Sequence, residues 1–183
     1  WPATGSEVNE GGAALWAWGA SGLAAVWADT NTREDIYDAF RRKETFATSG
    51  PRIRVRFFAG FNYPADLLDD RDAIATAYAG GVPMGGDLVA TNDQAPQFFT
   101  WAVRDPRSTW LDRLQIVKGW VQDGDAREQV FDVACSDGRK PDPDSYRCSD
   151  SSASVNTSDC SPSFDEGAAE LSTLWSDPTF DPR

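Results

Sequence analysis

Cysteine thiols are the most reactive side chains in this chain of 183 residues. Cys135, Cys148 and Cys160 lie in a polar stretch rich in Ser, Asp and Pro, where a thiol has little apolar core to pack into. None of their spacings matches the close pair of a zinc knuckle or a redox motif. We therefore predict a disulfide between Cys135 and Cys148, formed outside the cytosol, and a partner for Cys160 beyond the end of this segment.

Carboxylates are the second group that could do chemistry, and four of them cluster in one short stretch: Asp66, Asp69, Asp70 and Asp72. Such a cluster suggests calcium, but the glycine and the terminal glutamate of an EF-hand loop are missing. Aspartates near a helix start more commonly cap the helix or face solvent. We therefore predict that these aspartates are structural and that this stretch holds no metal.

Histidine does not occur in the sequence. Because histidine is the commonest metal ligand and the usual acid–base group near neutral pH, neither a zinc hydrolase site nor a Ser-His-Asp triad can be built from these residues alone. The formal net charge of -12 disfavours nucleic acid and anionic membranes. No apolar run reaches the roughly 20 residues of a membrane span. The sequence thus predicts an acidic protein without a nucleic-acid partner or a membrane span.

The elements that must position these groups begin with a helix after Thr32. Thr32 and Asp35 form a capping-box pattern. A stripe at helical spacing follows it, consisting of Ile36, Ala39, Phe40 and Lys43. A second, short helix is expected over residues 65–78, and the glycine pairs around Pro83 indicate a strand entry or bulge rather than a phosphate loop.

Strand patterns dominate the rest of the chain. They are expected at residues 45–48, 53–58, 98–103, 111–121 and 130–134. From Ile53, apolar residues alternate with Arg54 and Arg56, so one face should meet the core while the other is wet or salt-bridged. Asp123-Gly124 is a hairpin signal.

One more helix is expected near the end of the chain. Ser163 and Glu166 form another capping box, and a helical stripe follows at Ala168, Leu171, Leu174 and Trp175. The predicted fold class is α+β, mainly an antiparallel β-sheet or sandwich flanked by a few short helices.

Tryptophan is unusually frequent, with eight residues in the chain. Two aromatic clusters, around Trp16 and around Trp27, are joined by a glycine-rich break. Packing of both clusters onto the helix after Thr32 is the favoured interpretation, because large apolar residues are mostly core. A surface binding platform made of tryptophans is the alternative.

Five segments of the chain read, in order, GLAAVWADTNTREDIYDAFRRKETFATSGPRIRVRFFAG, GGVPMGGDL, LQIVKGW, VFDVAC and LWSDPTFDP. In this order they resemble the C-terminal portion of the bacterial domain-of-unknown-function family 3604, which is itself similar to the PHP (polymerase and histidinol phosphatase) class of metal-dependent phosphoesterases. The resemblance runs from about Gly22 to Arg183.

This resemblance implies a division of the chain. Residues 1–50 would be the end of a PHP-like barrel, comprising a linker, the aromatic segment and the last helix and strand. Residues 51–183 would be an accessory β-rich domain with a disulfide loop over 135–162. The resemblance also implies a periplasmic or secreted protein and a further cysteine, beyond Arg183, for Cys160.

The resemblance also implies where catalysis would occur. In the family, the metal-binding residues of the barrel precede the matching segment, so divalent Mn, Zn or Fe would bind in the intact parent, whose missing N-terminal barrel part is the implied partner. In this segment the turn after the barrel's last strand would be best placed to reach a substrate anion. Its candidates are Thr48, Ser49, Gly50 and Arg52, with Arg52 as a bidentate clamp. A turn with a structural arginine is the alternative.

Two functions follow. The chain is either the structural, accessory C-terminal segment of a secreted or periplasmic PHP-type metal-dependent hydrolase, or a non-catalytic β-rich binding or subunit module that uses exposed tryptophans. In both cases we expect no catalytic residue and no bound cofactor in this segment itself.

Overall fold

The computed structural model describes residues 22–90, 93–163 and 166–182. Its helices are α1 (Arg33–Arg41) and α2 (Ala73–Gly80), and a 3₁₀ turn lies at Leu67–Asp69. Its strands are β1 (Leu23–Val26), β2 (Thr45–Thr48), β3 (Arg54–Gly60), β4 (Gly81–Pro83), β5 (Gln97–Val103), β6 (Arg113–Gln122), β7 (Asp125–Cys135), β8 (Val155–Asn156), β9 (Ser161–Pro162) and β10 (Glu170–Ser176).

All strand pairs are antiparallel. The main sheet has the order β10-β5-β3-β4, and three two-stranded sheets pair β1 with β2, β6 with β7 and β8 with β9. The described residues form no closed barrel. The predicted α+β class with dominant antiparallel sheet is confirmed. Within these ranges, neither helix is long and apolar enough to cross a membrane.

The main sheet buries apolar residues on both faces. On one face Phe58 and Phe99 pack with α2 and the 3₁₀ turn through Tyr63, Leu67 and Ala77. On the other face a second core connects the sheet to the β6–β7 hairpin; its buried members are Ala102, Leu111, Leu114, Phe131 and Val133. The two cores give a layered molecule in which the central strands β3 and β5 are covered from both sides.

Strand β3 alternates as predicted, but its two faces are not simply core and solvent. The face that carries Arg54 and Arg56 also carries Phe58, which is only 1% exposed. Helix α2 covers that face at the Phe58 end through Ala77. Only the arginine end of the face remains polar.

The predicted hairpin at Asp123-Gly124 is present. Both residues have left-handed backbone angles, with φ of 55° and 86°, as a two-residue turn between twisted strands requires. Strand β6 is about as long as the predicted strand over 111–121, whereas β7 is longer than the predicted strand over 130–134, because the pairing continues from Gln122–Asp125 as far as Arg113–Cys135.

The helix predicted after Ser163 is wrong. Residues 170–176 form β10, which pairs with β5 along its whole length, from Glu170–Val103 to Ser176–Gln97. Leu171 and Trp175 point to the β6–β7 layer and Leu174 to the other core. The same apolar residues therefore satisfy a two-residue period, and backbone pairing with β5 decides in favour of the strand.

The first predicted helix is present but ends earlier than expected. Thr32 caps α1 by accepting a hydrogen bond from the Asp35 N–H (3.3 Å). The stripe does not extend to Lys43, which follows the helix with φ of 60°. The N–H of Lys43 donates to Phe40 O and that of Glu44 to Ala39 O, the two bonds of a Schellman motif.

Two other segments differ from the sequence expectations. The predicted helix over 65–78 is split, since α2 begins only at Ala73. Leu23–Val26 is a strand, and Trp27 after it stacks on Phe46 of β2 with ring centroids 5.7 Å apart. The cluster around Trp16 lies outside the described residues.

Three glycines allow the backbone to approach the ring of Tyr63 closely. Its ring lies against Gly60, Gly80 and Gly81, and its hydroxyl donates to Ala77 O (3.1 Å). A Cβ atom at Gly81 would lie 2.2 Å from both Ala59 O and the Tyr63 hydroxyl oxygen. Burial raises the pKa of Tyr63 to about 12.

We predict that Gly81→Ala lowers the free energy of unfolding by about 1–3 kcal/mol, because the new methyl group meets backbone and a buried ring. Gly119→Ala in β6 is the matched control, since its Cβ would find only Arg127 O at 3.9 Å. Urea unfolding measures both variants. Equal stability of the two variants would contradict the close packing described here.

Candidate functional site

Glu44 is a carboxylate buried at the junction of several elements. The Schellman turn after α1 directs it inward, and the residue is only 3% exposed. Its carboxylate accepts hydrogen bonds from the Tyr78 hydroxyl and forms ion pairs with Arg56 (3.4 Å) and Arg42 (3.3 Å). A buried charge needs partners of this kind, because desolvation otherwise costs several kcal/mol.

Trp27 contacts both Glu44 and Arg56. Its backbone N–H donates to Glu44 O (3.1 Å), and its indole N–H donates to Val55 O (2.8 Å). The Arg56 guanidinium lies 3.5 Å from the centroid of the Trp27 ring. Cation–π attraction and the ion pair therefore hold the same arginine. We call Trp27, Glu44, Arg56 and Tyr78 the junction cluster.

The junction cluster borders a hollow of about 400 Å³ that is also lined by Asp29 and Pro83. Burial, followed by the hydrogen bond to Glu44, raises the pKa of Tyr78. The tyrosine therefore stays neutral and acts as a donor. Through its contacts with Arg42, Arg56 and Tyr78, Glu44 holds α1 and β2 against β3 and α2.

The residues of the predicted anion-binding turn have different surroundings. The Thr48 hydroxyl accepts a hydrogen bond from Leu23 N–H (3.3 Å) within the β1–β2 sheet, while Ser49, Gly50 and Arg52 are exposed. The backbone N–H of Arg52 donates to Asp105 Oδ2 (2.9 Å). An anion at Arg52 would lie near this carboxylate, whose pKa is lowered by its hydrogen bonds from the Arg52 and Arg107 N–H groups. The anion role of Arg52 stays a prediction.

The disulfide loop is anchored by a buried aspartate. Cys135 and Cys148 are joined, as the sequence predicts, and Cys160 is free and exposed. Next to the disulfide, Asp132 is 2% exposed and accepts hydrogen bonds from the Cys148 N–H and the Gln115 amide, each at 2.7 Å. Asp132 therefore ties the loop to the centre of β7.

Two arginines complete the surroundings of Asp132. Arg147 lies 3.3 Å from one carboxylate oxygen and Arg113 lies 3.5 Å from the other. Burial alone would raise the pKa of Asp132, but the hydrogen bonds from Gln115 and the Cys148 N–H, together with the arginines, outweigh it and lower the pKa.

The aspartate run at 66–72 serves the start of α2. Asp70 accepts hydrogen bonds from the Asp72 N–H (2.9 Å) and the Thr76 hydroxyl (2.8 Å), and these two bonds lower its pKa. Across residues 22–90, 93–163 and 166–182, no three His, Cys, Asp or Glu side chains are grouped to hold a metal ion.

Five of the eight tryptophans fall within the described ranges, and all five are half-buried: Trp27, Trp101, Trp110, Trp120 and Trp175. They form no flat exposed platform. Trp1, Trp16 and Trp18 lie outside those ranges. Instead of an exposed platform, Trp27 and Trp101 line a common groove with Arg54 and Arg56.

Sequence reasoning missed Glu44 and Tyr78. The available signal was the pair of arginines in a strand of otherwise apolar residues, which indicated a salt-bridged face. The sequence did not show which residues pair with Arg56, because Glu44 and Tyr78 lie 12 and 22 residues from it along the chain.

Comparison with family models matches residues 3–183 to a family described as a protein of unknown function, DUF3604. No curated protein and no solved structure gave a significant match. The family match covers every residue that the structure describes.

We predict that Glu44→Gln lowers the free energy of unfolding by about 2–3 kcal/mol, because it leaves the largely buried Arg56 without its counter-charge. Glu128→Gln on the exposed part of β7 is the control and should stay within about 0.5 kcal/mol of wild type. Urea unfolding at neutral pH compares them. A loss no larger than that of the control would rule out the role assigned to Glu44.

A second prediction concerns acid. Because the folded pKa of Asp132 lies below its unfolded value of about 3.9, its contribution to stability is present above that pH and is lost as the pH falls through the folded pKa. Asp132→Asn should cost about 1–3 kcal/mol at pH 7. The difference from wild type should shrink as the pH falls below about 4, because the folded Asp132 then takes up its proton.

Asp125→Asn is the control for this acid prediction. Asp125 lies on the same strand, its side chain is 74% exposed, and its ion pair with Arg127 spans 3.6 Å at the surface. Unfolding curves of all three proteins between pH 7 and pH 2 give the comparison. A constant difference between Asp132→Asn and wild type across that range would contradict the lowered pKa.

Proposed function

The chain belongs to the DUF3604 family, and on that premise we propose that it is the structural, accessory C-terminal segment of a PHP-type metal-dependent hydrolase acting on phosphoester-like bonds. In this proposal residues 1–50 complete a barrel formed by preceding polypeptide of the same protein, and residues 51–183 form a β-rich domain beside it. The metal-binding and catalytic residues belong to the preceding part.

The observation that supports this proposal best is the incomplete burial of residues 22–50. Only Ala39 and Glu44 are buried in that stretch, and neither is a large apolar residue. Leu23, Tyr37 and Phe40 are 49%, 63% and 49% exposed. A helix that buries a single alanine obtains little stabilisation from packing, since helical stability in proteins comes mostly from an apolar face against a partner.

The β1–β2 sheet leads to the same inference. It consists of two short strands, and isolated two-stranded sheets are marginally stable in water. Beside it, α1 has a hollow of about 470 Å³ lined by the apolar side chains of Ile36, Tyr37 and Phe40 and bordered by Arg33 and Glu34. Further strands at the sheet edge and an apolar surface over α1 are what a barrel would add.

The residue composition and the disulfide also support the proposal that catalysis takes place in the preceding part of the protein. The described residues offer no metal-binding group and the sequence offers no histidine, so the catalytic groups of a metal-dependent hydrolase have to come from elsewhere in the protein. The disulfide between Cys135 and Cys148 supports export to the periplasm or the exterior, where such bonds persist.

The test uses the intact protein, whose mass should be well above the 20.0 kDa of this segment. Purified without chelator, it should retain a divalent metal and hydrolyse p-nitrophenyl phosphate, with loss of activity in EDTA. In that protein the double variant Tyr37→Ser/Phe40→Ser should lower the free energy of unfolding by about 2–4 kcal/mol, because both side chains would be covered by the barrel.

Val117→Ser/Val121→Ser is the control, since these valines of β6 are 59% and 74% exposed and face no proposed partner. The control should change stability by less than about 0.5 kcal/mol. A metal-free protein without hydrolytic activity would refute the hydrolase, and equal effects of the two double variants would refute the barrel contact.

A further inference from the structure

One face of the main sheet changes from apolar to polar along the strands. The register across β3, β5 and β10 places residues in successive rows: Phe58, Phe99 and Leu174; then Arg56, Trp101 and Ser172; then Arg54, Val103 and Glu170. The first row is in the core under α2. The last two rows form the floor of a groove beyond the end of that core.

Two hollows lie along this groove. The first, of about 220 Å³, is lined by Trp27, Arg54, Arg56, Trp101, Val103 and Glu170. The second, of about 200 Å³, shares Trp101 and Glu170 with the first and continues towards Arg71 and Asp70. Each is smaller than the roughly 300–1,000 Å³ of a pocket for a drug-sized molecule, so each has room for about one six-membered ring.

The charges in the first hollow are nearly balanced. Arg56 is paired with Glu44 in the junction cluster (3.4 Å), a carboxylate that it shares with Arg42, and Glu170 accepts a hydrogen bond from the Trp101 indole N–H (2.6 Å). Arg54 is exposed and has no ion pair among the described residues. The groove therefore presents a guanidinium with unused N–H donors beside a carboxylate with unused lone pairs.

The opposite charges of Arg54 and Glu170 favour a neutral, hydroxyl-rich ligand over an ion. An anion attracted by Arg54 would be repelled by Glu170, and a cation attracted by Glu170 would be repelled by Arg54. Hydroxyl groups can donate to the carboxylate and accept from the guanidinium at the same time. The indole of Trp101 adds an apolar surface between the two hollows.

We propose that this groove binds a neutral saccharide. A sugar ring has an apolar C–H surface for Trp101 and a rim of hydroxyls for Arg54 and Glu170, and two linked rings match the two hollows that share Trp101. The cation–π contact and the ion pair hold Arg56 as the wall of the first hollow. This inference does not depend on the hydrolase proposal.

The test is titration of the protein with maltose, cellobiose and N,N′-diacetylchitobiose, followed by isothermal titration calorimetry and by the NMR signal of the Trp101 indole N–H. We expect at least one disaccharide to bind with a Kd of about 1 mM or tighter and to shift that signal. Arg54→Gln and Glu170→Gln should each weaken binding at least tenfold.

Arg127→Gln is the control, because Arg127 is an exposed arginine of β7 with its side chain 52% exposed. It should leave the Kd unchanged, and the unfolding midpoint of each variant verifies that it is folded. Sodium sulfate and acetate are titrated in parallel. Three results would overturn the proposal. None of the three disaccharides shows saturable binding up to 50 mM, or the binding persists in both Arg54→Gln and Glu170→Gln, or only the anions bind and do so through Arg54.

Discussion

A carboxylate that leaves water has to be compensated where it lies, and the position of Glu44 imposes this requirement on four surrounding elements. The turn after α1 delivers the carboxylate, β3 supplies Arg56 and α2 supplies Tyr78. The chain after β1 supplies Trp27, whose backbone N–H donates to the Glu44 backbone oxygen and whose ring faces the Arg56 guanidinium. None of these contacts can form alone without leaving a buried charge or an unpaired donor. The junction cluster therefore fixes how residues 22–50 sit against the main sheet.

One face of the main sheet has an apolar end and a polar end. Its Phe58 end is covered by α2, and its Arg54 end remains polar because the junction cluster occupies the next row. On the opposite face, the β6–β7 hairpin packs on Leu171 and Trp175. The disulfide loop is tied to this hairpin by Asp132. Apolar burial thus stabilises the centre of the sheet, while paired charges stabilise the contacts at its edges.

The sequence predicts well those features whose causes are local. The Thr32 cap, the Asp123-Gly124 turn and the alternation from Ile53 each depend on a few neighbouring residues, and each is present. The disulfide followed from composition, because the polar stretch around the cysteines cannot fold by burial. The general class, α+β with dominant antiparallel sheet, could be predicted because strand patterns dominate the chain and only short helical patterns lie beside them.

Features that depend on distant partners were not accessible. Residues 170–176 have apolar positions compatible with either a helix or a strand, and only the pairing of Glu170–Ser176 with β5 decides between them. Lys43 looked like a helix position because nothing local reveals the Schellman turn that follows Arg41. The groove is hidden for a related reason, since Arg54 and Glu170 are far apart in sequence and adjacent only through Val103.

The central claim is that Glu44 and Arg56 stabilise the protein through each other. A double-mutant cycle tests this most directly: the free energy of unfolding is measured by urea titration for wild type, Glu44→Gln, Arg56→Met and the double variant. Side chains that act as a pair should show a coupling energy of about 1–3 kcal/mol. The first substitution already removes the interaction between them, so the second substitution costs less than it does in the wild-type protein. Additive losses, with coupling indistinguishable from zero, would contradict the account.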